Sequence, residues 1–420
     1  MVMNSATSIE INQLINNIKS DPSKEEDWRN LALLLAREEK YSELDNLLQY
    51  RHQCGFSGIK FAYELTLTVA LLDEELIGRL YRGMPGDCAF SGIFYWAEGN
   101  RHLAKFDLEN GCRPLKEGFR RLVRLKEVIP SEAFSPEVMN LMARQSFLVE
   151  DMHWVGKTFL PHPDFELMND SSCESVSDFV GAFFCDSVYF KHYAEVFLSC
   201  WRKNVGQQTI LACIVNPDAD ILPQAASLSE KYGNVLIGTT TYSGDKVPEY
   251  CTAIRFLLAN RLLRTFGKPI ILFDADALFS EGSLPVVEQI ARYPLSFIDT
   301  RIQQVNLQID ASVVGAHPGT ESEAFFDVVS DYLRAKLLEY GPIWTVDQVA
   351  LHRGVSYGKK EGFSMTDLVG VLPENARLPE FFKKEHDIAF EERGASRQFH
   401  VFDLSGIRFM EDGSIVFPQR

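Results

Sequence analysis

The sequence predicts an α/β protein: a mostly parallel sheet with flanking helices, preceded by an all-α domain. Three observations predict it. Between residues 179 and 273, short apolar runs alternate with segments of helical periodicity, and such alternation builds a parallel sheet with helices on both faces. The run Ile270-Ile271-Leu272-Phe273 is apolar throughout, as a strand buried on both faces must be. Before residue 150, apolar residues instead recur at helical spacing.

The helical domain is expected over residues 8–150. Asp21-Pro22 opens a segment in which Trp28, Leu31, Ala32, Leu35, Tyr41, Leu44 and Leu48 fall on helical faces, with a turn near Glu39-Lys40-Tyr41. The order Trp-x-x-Leu-Ala followed by that turn resembles a tetratricopeptide helix hairpin. A second unit runs from Phe94 and Gly99 through Phe106, Gly111 and Phe119 to Pro130. Two readings stand: a plain helical domain with no partner, or a helical-repeat surface that presents a protein or polymer acceptor. Residues 151–178 read as a linker, because Pro161, Pro163, Asn169-Asp170-Ser171-Ser172 and Ser175 supply breakers without periodicity.

The α/β domain is expected over residues 179–420. Phe179–Cys185 is its first strand, with Asp186-Ser187 capping the helix that carries Tyr189, Tyr193, Val196 and Phe197. Thr209–Val215 and Asn234–Gly238 are the next strands, with a helix from Leu222 between them. Tyr250–Phe266 is a helix stopped by Gly267, and the strand ending at Phe273 follows. Leu307–Gly315 reads as a later strand, Glu321–Tyr340 as a helix, and Asp412-Gly413 as the turn of a C-terminal hairpin closing the domain.

Composition excludes several functions. The 420 residues carry a net charge of -16, the wrong sign for binding a nucleic-acid backbone or an anionic lipid surface. The eight cysteines form no Cys-x-x-Cys pair, and reduced thiols point to a cytoplasmic location. No stretch approaches the ~18 apolar residues of a membrane span, and the first ten residues lack the basic and apolar regions of a signal peptide.

Chemistry concentrates where the strand 270–273 ends, at Asp274-Ala275-Asp276. Residues i and i+2 of an extended chain point to the same side, so both carboxylates should leave the sheet together. Ligands of open α/β sheets bind at the carboxyl ends of strands. Two hard-oxygen donors there favour Mg²⁺ or Mn²⁺.

An apolar strand ending in Asp-x-Asp resembles the metal-binding motif of nucleotide-sugar-dependent glycosyltransferases with the GT-A fold, the glycogenin-like families among them. Cys185–Tyr193 is similar to the first strand-to-helix turn of that fold, which holds the nucleotide and implies roles for Asp186 and Tyr189. Glu249–Leu258 is similar to the helix preceding Asp-x-Asp, with Arg255 at the place of an arginine that reaches the metal–nucleotide site. Asp310 and Ser312 stand where the family has Asn and Gly in a strand lining the sugar. Trp344, Asp347 and Gln348 match the family's Asp-Gln opening of an apolar helix, beside sugar and diphosphate.

The resemblance spans roughly 179–351 and implies the following chemistry. Asp274 and Asp276 hold Mn²⁺ or Mg²⁺, with His400 or His386 as a third ligand. Arg255 and Lys268 add positive charge near the diphosphate. Asp347 and Gln348 act at the reacting centre, with Asp347 a base or a positioning group. A sugar moves from a nucleoside diphosphate sugar to an acceptor hydroxyl on a glycan, a lipid-linked glycan or a protein, with retained configuration. Two alternatives compete. One is a non-catalytic helical-repeat scaffold with an inactive transferase-like domain. The other is a sugar nucleotidylyltransferase, which needs an early Gly-rich phosphate loop where this chain has Cys185-Asp186-Ser187-Val188-Tyr189.

Overall fold

The computed structural model describes residues 5–56, 58–84, 90–126, 158–168, 176–279, 283–301, 305–371, 380–381, 408–409 and 415–416. The chain divides into two compact units, Met1–Met152 with His400–Arg420, and His153–Phe399.

The first unit contains helices α1 (Ser5–Ser20), α2 (Glu25–Arg37), α3 (Tyr41–Gln53), α4 (Gly58–Leu72), α5 (Glu74–Gly83), α6 (Ser91–Leu103) and α7 (Leu108–Lys126). Helix α2 buries Trp28, Leu31, Ala32 and Leu35 on one stripe, and α3 buries Leu44 and Leu48. The turn between them uses Glu39 in the left-handed region. Helices α6 and α7 meet backbone to backbone. Gly92 and Gly99 on α6 face Gly118 and Gly111 on α7, and a Cβ at Gly99 would sit 2.6 Å from Leu115 N.

The second unit is built on one eight-stranded sheet. Its elements are β1 (Glu166–Leu167), β2 (Val180–Asp186), α8 (Ser187–Asn204), β3 (Thr209–Val215), α9 (Ile221–Tyr232), β4 (Val235–Thr240), α10 (Val247–Phe266), β5 (Ile270–Phe273), β6 (Ala277–Leu278), α11 (Ser283–Ile290), β7 (Leu295–Asp299), α12 (Val305–Gln308), β8 (Ile309–Ala316), α13 (Thr320–Tyr340), α14 (Val346–Glu361), β9 (Thr366–Asp367), α15 (Leu368–Val371) and β10 (Glu380–Phe381). The strand order is β1-β4-β3-β2-β5-β8-β7-β9. Strands β2, β3 and β5 are buried along their whole length, because helices cover both faces. Phe183, Ile214 and Phe273 pack with Phe197 and Trp201 of α8 and Ile290 of α11, while α10 lies against β2 and β5 and packs on α13 and α14.

The sheet is mixed rather than mostly parallel. Strands β4, β3, β2 and β5 are mutually parallel, but β8 runs antiparallel to β5 and β7 antiparallel to β8. An apolar run records burial and carries no strand direction, so the sequence pattern was silent here. The predicted linker also changes character. Residues 158–168 lie on this unit, with β1 pairing antiparallel to β4 and Phe165 buried. A two-residue edge strand is too short to show a periodic signal.

At the C-terminal end, β11 (Arg408–Phe409) pairs antiparallel with β12 (Ile415–Val416). These two strands belong to the first unit. Among the described residues, no helix is long and apolar enough to cross a membrane.

Candidate functional site

The chain order fixes where a ligand can sit. From β2 the connections step outward to β3 and β4, and the chain then returns to β5 on the opposite side of β2. The crevice at the carboxyl ends of β2 and β5 is therefore the topological switch point of the sheet. A cleft of about 190 Å³ opens there.

Each side of the cleft is placed by one element. Strand β2 ends in Asp186, whose Oδ1 accepts the Tyr189 N–H at 2.9 Å and caps α8. Beyond β5, Asp274–Ala277 forms a turn in which the Asp274 carbonyl accepts the Ala277 N–H at 3.2 Å. Asp274 and Asp276 are thus brought to the cleft by a turn, not by strand alternation as their spacing suggested. Because β8 runs antiparallel to β5, its first residues rather than its last reach this end. The Asp274 N–H donates to the Ser312 carbonyl at 3.1 Å, and Asp310 lies beside it on the cleft wall. The start of α14 closes the cleft with Trp344, Thr345, Asp347 and Gln348.

Arg255 ties these pieces together. It lies in the middle of α10, 3% exposed, where an unpaired charge would be costly. Its Nη1 donates to Asp274 Oδ1 and its Nη2 donates to Asp347 Oδ2 at 3.1 Å. The guanidinium so links the turn after β5 to the first turn of α14, two segments far apart in sequence.

The electrostatics are lopsided. Among the described residues, five acids line the cleft, Asp186, Asp274, Asp276, Asp310 and Asp347, against the one basic side chain of Arg255. Burial, followed by the Asp274 charge, pushes Asp276 up to about 7. Burial pushes Asp347 up to about 6, with Arg255 pulling the other way. Burial also works against the Arg255 charge, but Asp274 and Asp347 more than offset it and its pKa is raised. Three buried polar atoms here have no hydrogen-bond partner among the described residues: Arg255 Nε, Thr345 Oγ1 and Gln348 Oε1.

The structure brings Asp186, Tyr189, Arg255, Asp274, Asp276, Asp310, Ser312, Trp344, Asp347 and Gln348 to this one cleft. Lys268 does not join them. It precedes β5 at the amino end of the strand, six positions before Asp274, which on an extended chain is about 20 Å. His400 and His386 lie outside the described residues. Pro248, Cys251 and Thr252 also line the cleft, and motif reasoning missed them. Their spacing of seven, four and three residues before Arg255 on one helix is the signal that finds them. Motif reasoning missed Thr345 as well.

A divalent ion fits the donor set in chemistry. Among the described residues, no group of three or more His, Cys, Asp or Glu side chains is arranged to hold a metal by itself. Asp274 and Asp276 supply two carboxylates, the number that Mg²⁺-type sites draw from protein when phosphates and water complete the shell. Burial and then the Asp274 charge raise Asp276, and a cation between the two carboxylates offsets both.

No protein-family model matches the chain, and no curated protein matches it. Among solved structures, the apo structure of the WbbM bifunctional glycosyltransferase is similar over 46% of this chain and 39% of its own, at 11% identity and a TM-score of 0.33. The matched part spans well under half the length of that protein, and a likeness this slight carries no argument. Fold and site define the chain as an α/β protein with an acidic cleft at the switch point of a mixed sheet, joined to a helical unit.

Proposed function

We propose that the α/β unit is a glycosyltransferase that moves a sugar from a nucleoside diphosphate sugar to an acceptor hydroxyl, with Mn²⁺ or Mg²⁺ held by Asp274 and Asp276. The observation that carries this reading is the charge imbalance of the cleft, five carboxylates against one buried guanidinium. A diphosphate could not approach such a wall without a cation to offset it. The ion, when bound, supplies charge neutralisation for the departing diphosphate.

The chain's own groups do the rest. Arg255 presents a fixed positive charge beside the turn that carries Asp274. Its second contact holds Asp347 at the start of α14, so both sides of the cleft keep their spacing. Asp347, pushed up to about 6, changes protonation near neutral pH and can accept the acceptor's proton. Asp186 keeps α8 capped, so that its amino end faces the cleft beside Tyr189. Retained configuration belongs to this reading through the family resemblance, and the helical unit is read as a tetratricopeptide-like surface that recruits a larger acceptor.

Calorimetry and hydrolysis assays across the common nucleotide sugars, in Mn²⁺ and then in chelator, test the proposal. Binding of UDP or GDP that needs the ion, with slow release of free sugar from the matching donor, is the expected result. Binding that persists unchanged in chelator refutes the role of Asp274 and Asp276.

A further inference from the structure

We propose that Thr345 is a specificity-determining residue of the cleft, recognising a sugar hydroxyl together with Gln348 Oε1. This rests on the function proposed above and names the part of the ligand that α14 recognises. Thr345 stands directly before α14 with φ at 72°, in the left-handed region. A β-branched residue is an outlier there, and such conformations gather at ligand clamps. Threonine usually occupies this place as a cap, its Oγ accepting an N–H of the first turn. Here it makes no side-chain cap bond, and Oγ1 is buried with no hydrogen-bond partner among the described residues. Neither backbone preference nor capping accounts for a threonine at this position.

Gln348 follows three residues later, on the same helix face. Its Oε1 is likewise buried without a partner among the described residues, and both residues line the cleft. An amide oxygen only accepts, so it needs a donor, whereas a threonine hydroxyl can donate or accept. Phosphate oxygens offer acceptors alone and cannot satisfy Gln348. A sugar hydroxyl can donate to Gln348 Oε1 and accept from Thr345 Oγ1. The same chemistry occurs on the transferred sugar and on the ribose of the nucleotide.

The test compares Thr345→Val, Thr345→Ser and Thr345→Gly by calorimetry in Mn²⁺. The probes are UDP-glucose, UDP-N-acetylglucosamine and GDP-mannose, then UDP and GDP, then inorganic pyrophosphate. Thr345→Val should weaken the nucleotide sugar that wild type binds by about tenfold, the worth of one good hydrogen bond, while pyrophosphate binding is unchanged and Thr345→Ser stays near wild type. Loss confined to the nucleotide sugar assigns the hydroxyl to the transferred sugar, and equal loss with UDP or GDP assigns it to the ribose. Thr345→Gly should lose affinity in the same way yet raise the thermal midpoint by about 2–6 °C as the strained conformation is relieved. Equal weakening of pyrophosphate, no weakening of any probe, or a lower midpoint for the glycine variant overturns the proposal. If wild type binds no nucleotide sugar at all, the glycosyltransferase reading itself falls and takes this one with it.

Discussion

Replacing Arg255 with methionine keeps most of the side-chain volume and removes the charge that joins the two sides of the cleft. Removing one partner of a buried ion pair costs about 3–5 kcal/mol. The Asp347 contact takes its full share, since the two side chains are 4% and 6% exposed. The Asp274 contact is discounted because that carboxylate is 33% exposed and solvent screens it. The expected loss is therefore near the lower end, about 3 kcal/mol at pH 8. It should also depend on pH. Asp347 titrates at about 6 in the fold, above its ordinary 3.8, so its contribution favours folding at low pH and is lost as pH rises through 6. Without Arg255 its pKa climbs further. The gap between wild type and variant should then widen above pH 6 by up to about 1.4 kcal/mol per unit, until the new value is reached. Urea unfolding at pH 5.5 and pH 8 measures both quantities. A gap below about 1 kcal/mol at pH 8, or one indifferent to pH, would refute the buried-pair reasoning. The double variant Arg255→Met with Asp347→Leu should recover most of the loss, because removing both partners leaves no orphaned charge.

Other expectations are checked more simply. Asp276→Asn should abolish Mn²⁺-dependent donor hydrolysis while leaving the thermal midpoint at pH 8 equal to wild type or higher, since it removes a buried carboxylate whose pKa is already pushed up to about 7; activity that persists in chelator sinks the assignment. A fragment spanning residues 153–399 should unfold cooperatively, whereas one starting at 175 loses β1 and should melt lower, as calorimetry would report. Gly99→Ala should destabilise the helical unit by about 1–3 kcal/mol, because the new Cβ meets the Leu115 backbone N at 2.6 Å and backbone cannot rotate away; an unchanged melt would show that α6 and α7 separate at little cost.

The elements were legible in the sequence because their causes are local. Burial on both faces made β2, β3 and β5 continuous apolar runs, and their observed bounds lie within a residue or so of those the runs predict. Gly267 ends α10 at φ 59, the conformation that favours glycine. Asp274 and Asp276 stood out in the sequence because two acids crowded at the end of a buried strand repel each other until a cation or a donor meets them, and the structure places both on the cleft. Even the need of Arg255 for an anion could be read, since it interrupts an apolar helix.

Partners across distance were decided only by the tertiary structure. Arg255 and Asp347 are 92 residues apart, and nothing in either segment specifies the other. Lys268 is only six positions from Asp274, but an extended strand turns sequence proximity into the full height of the sheet. Asp310 and Ser312 reach the cleft from the beginning of β8 only because that strand runs against β5, and hydrogen-bond direction leaves no mark on an apolar pattern. Thr345 was invisible for a related reason. A threonine before a helix reads as an ordinary cap, and its left-handed backbone and unpartnered hydroxyl exist only once α14 is packed against the sheet.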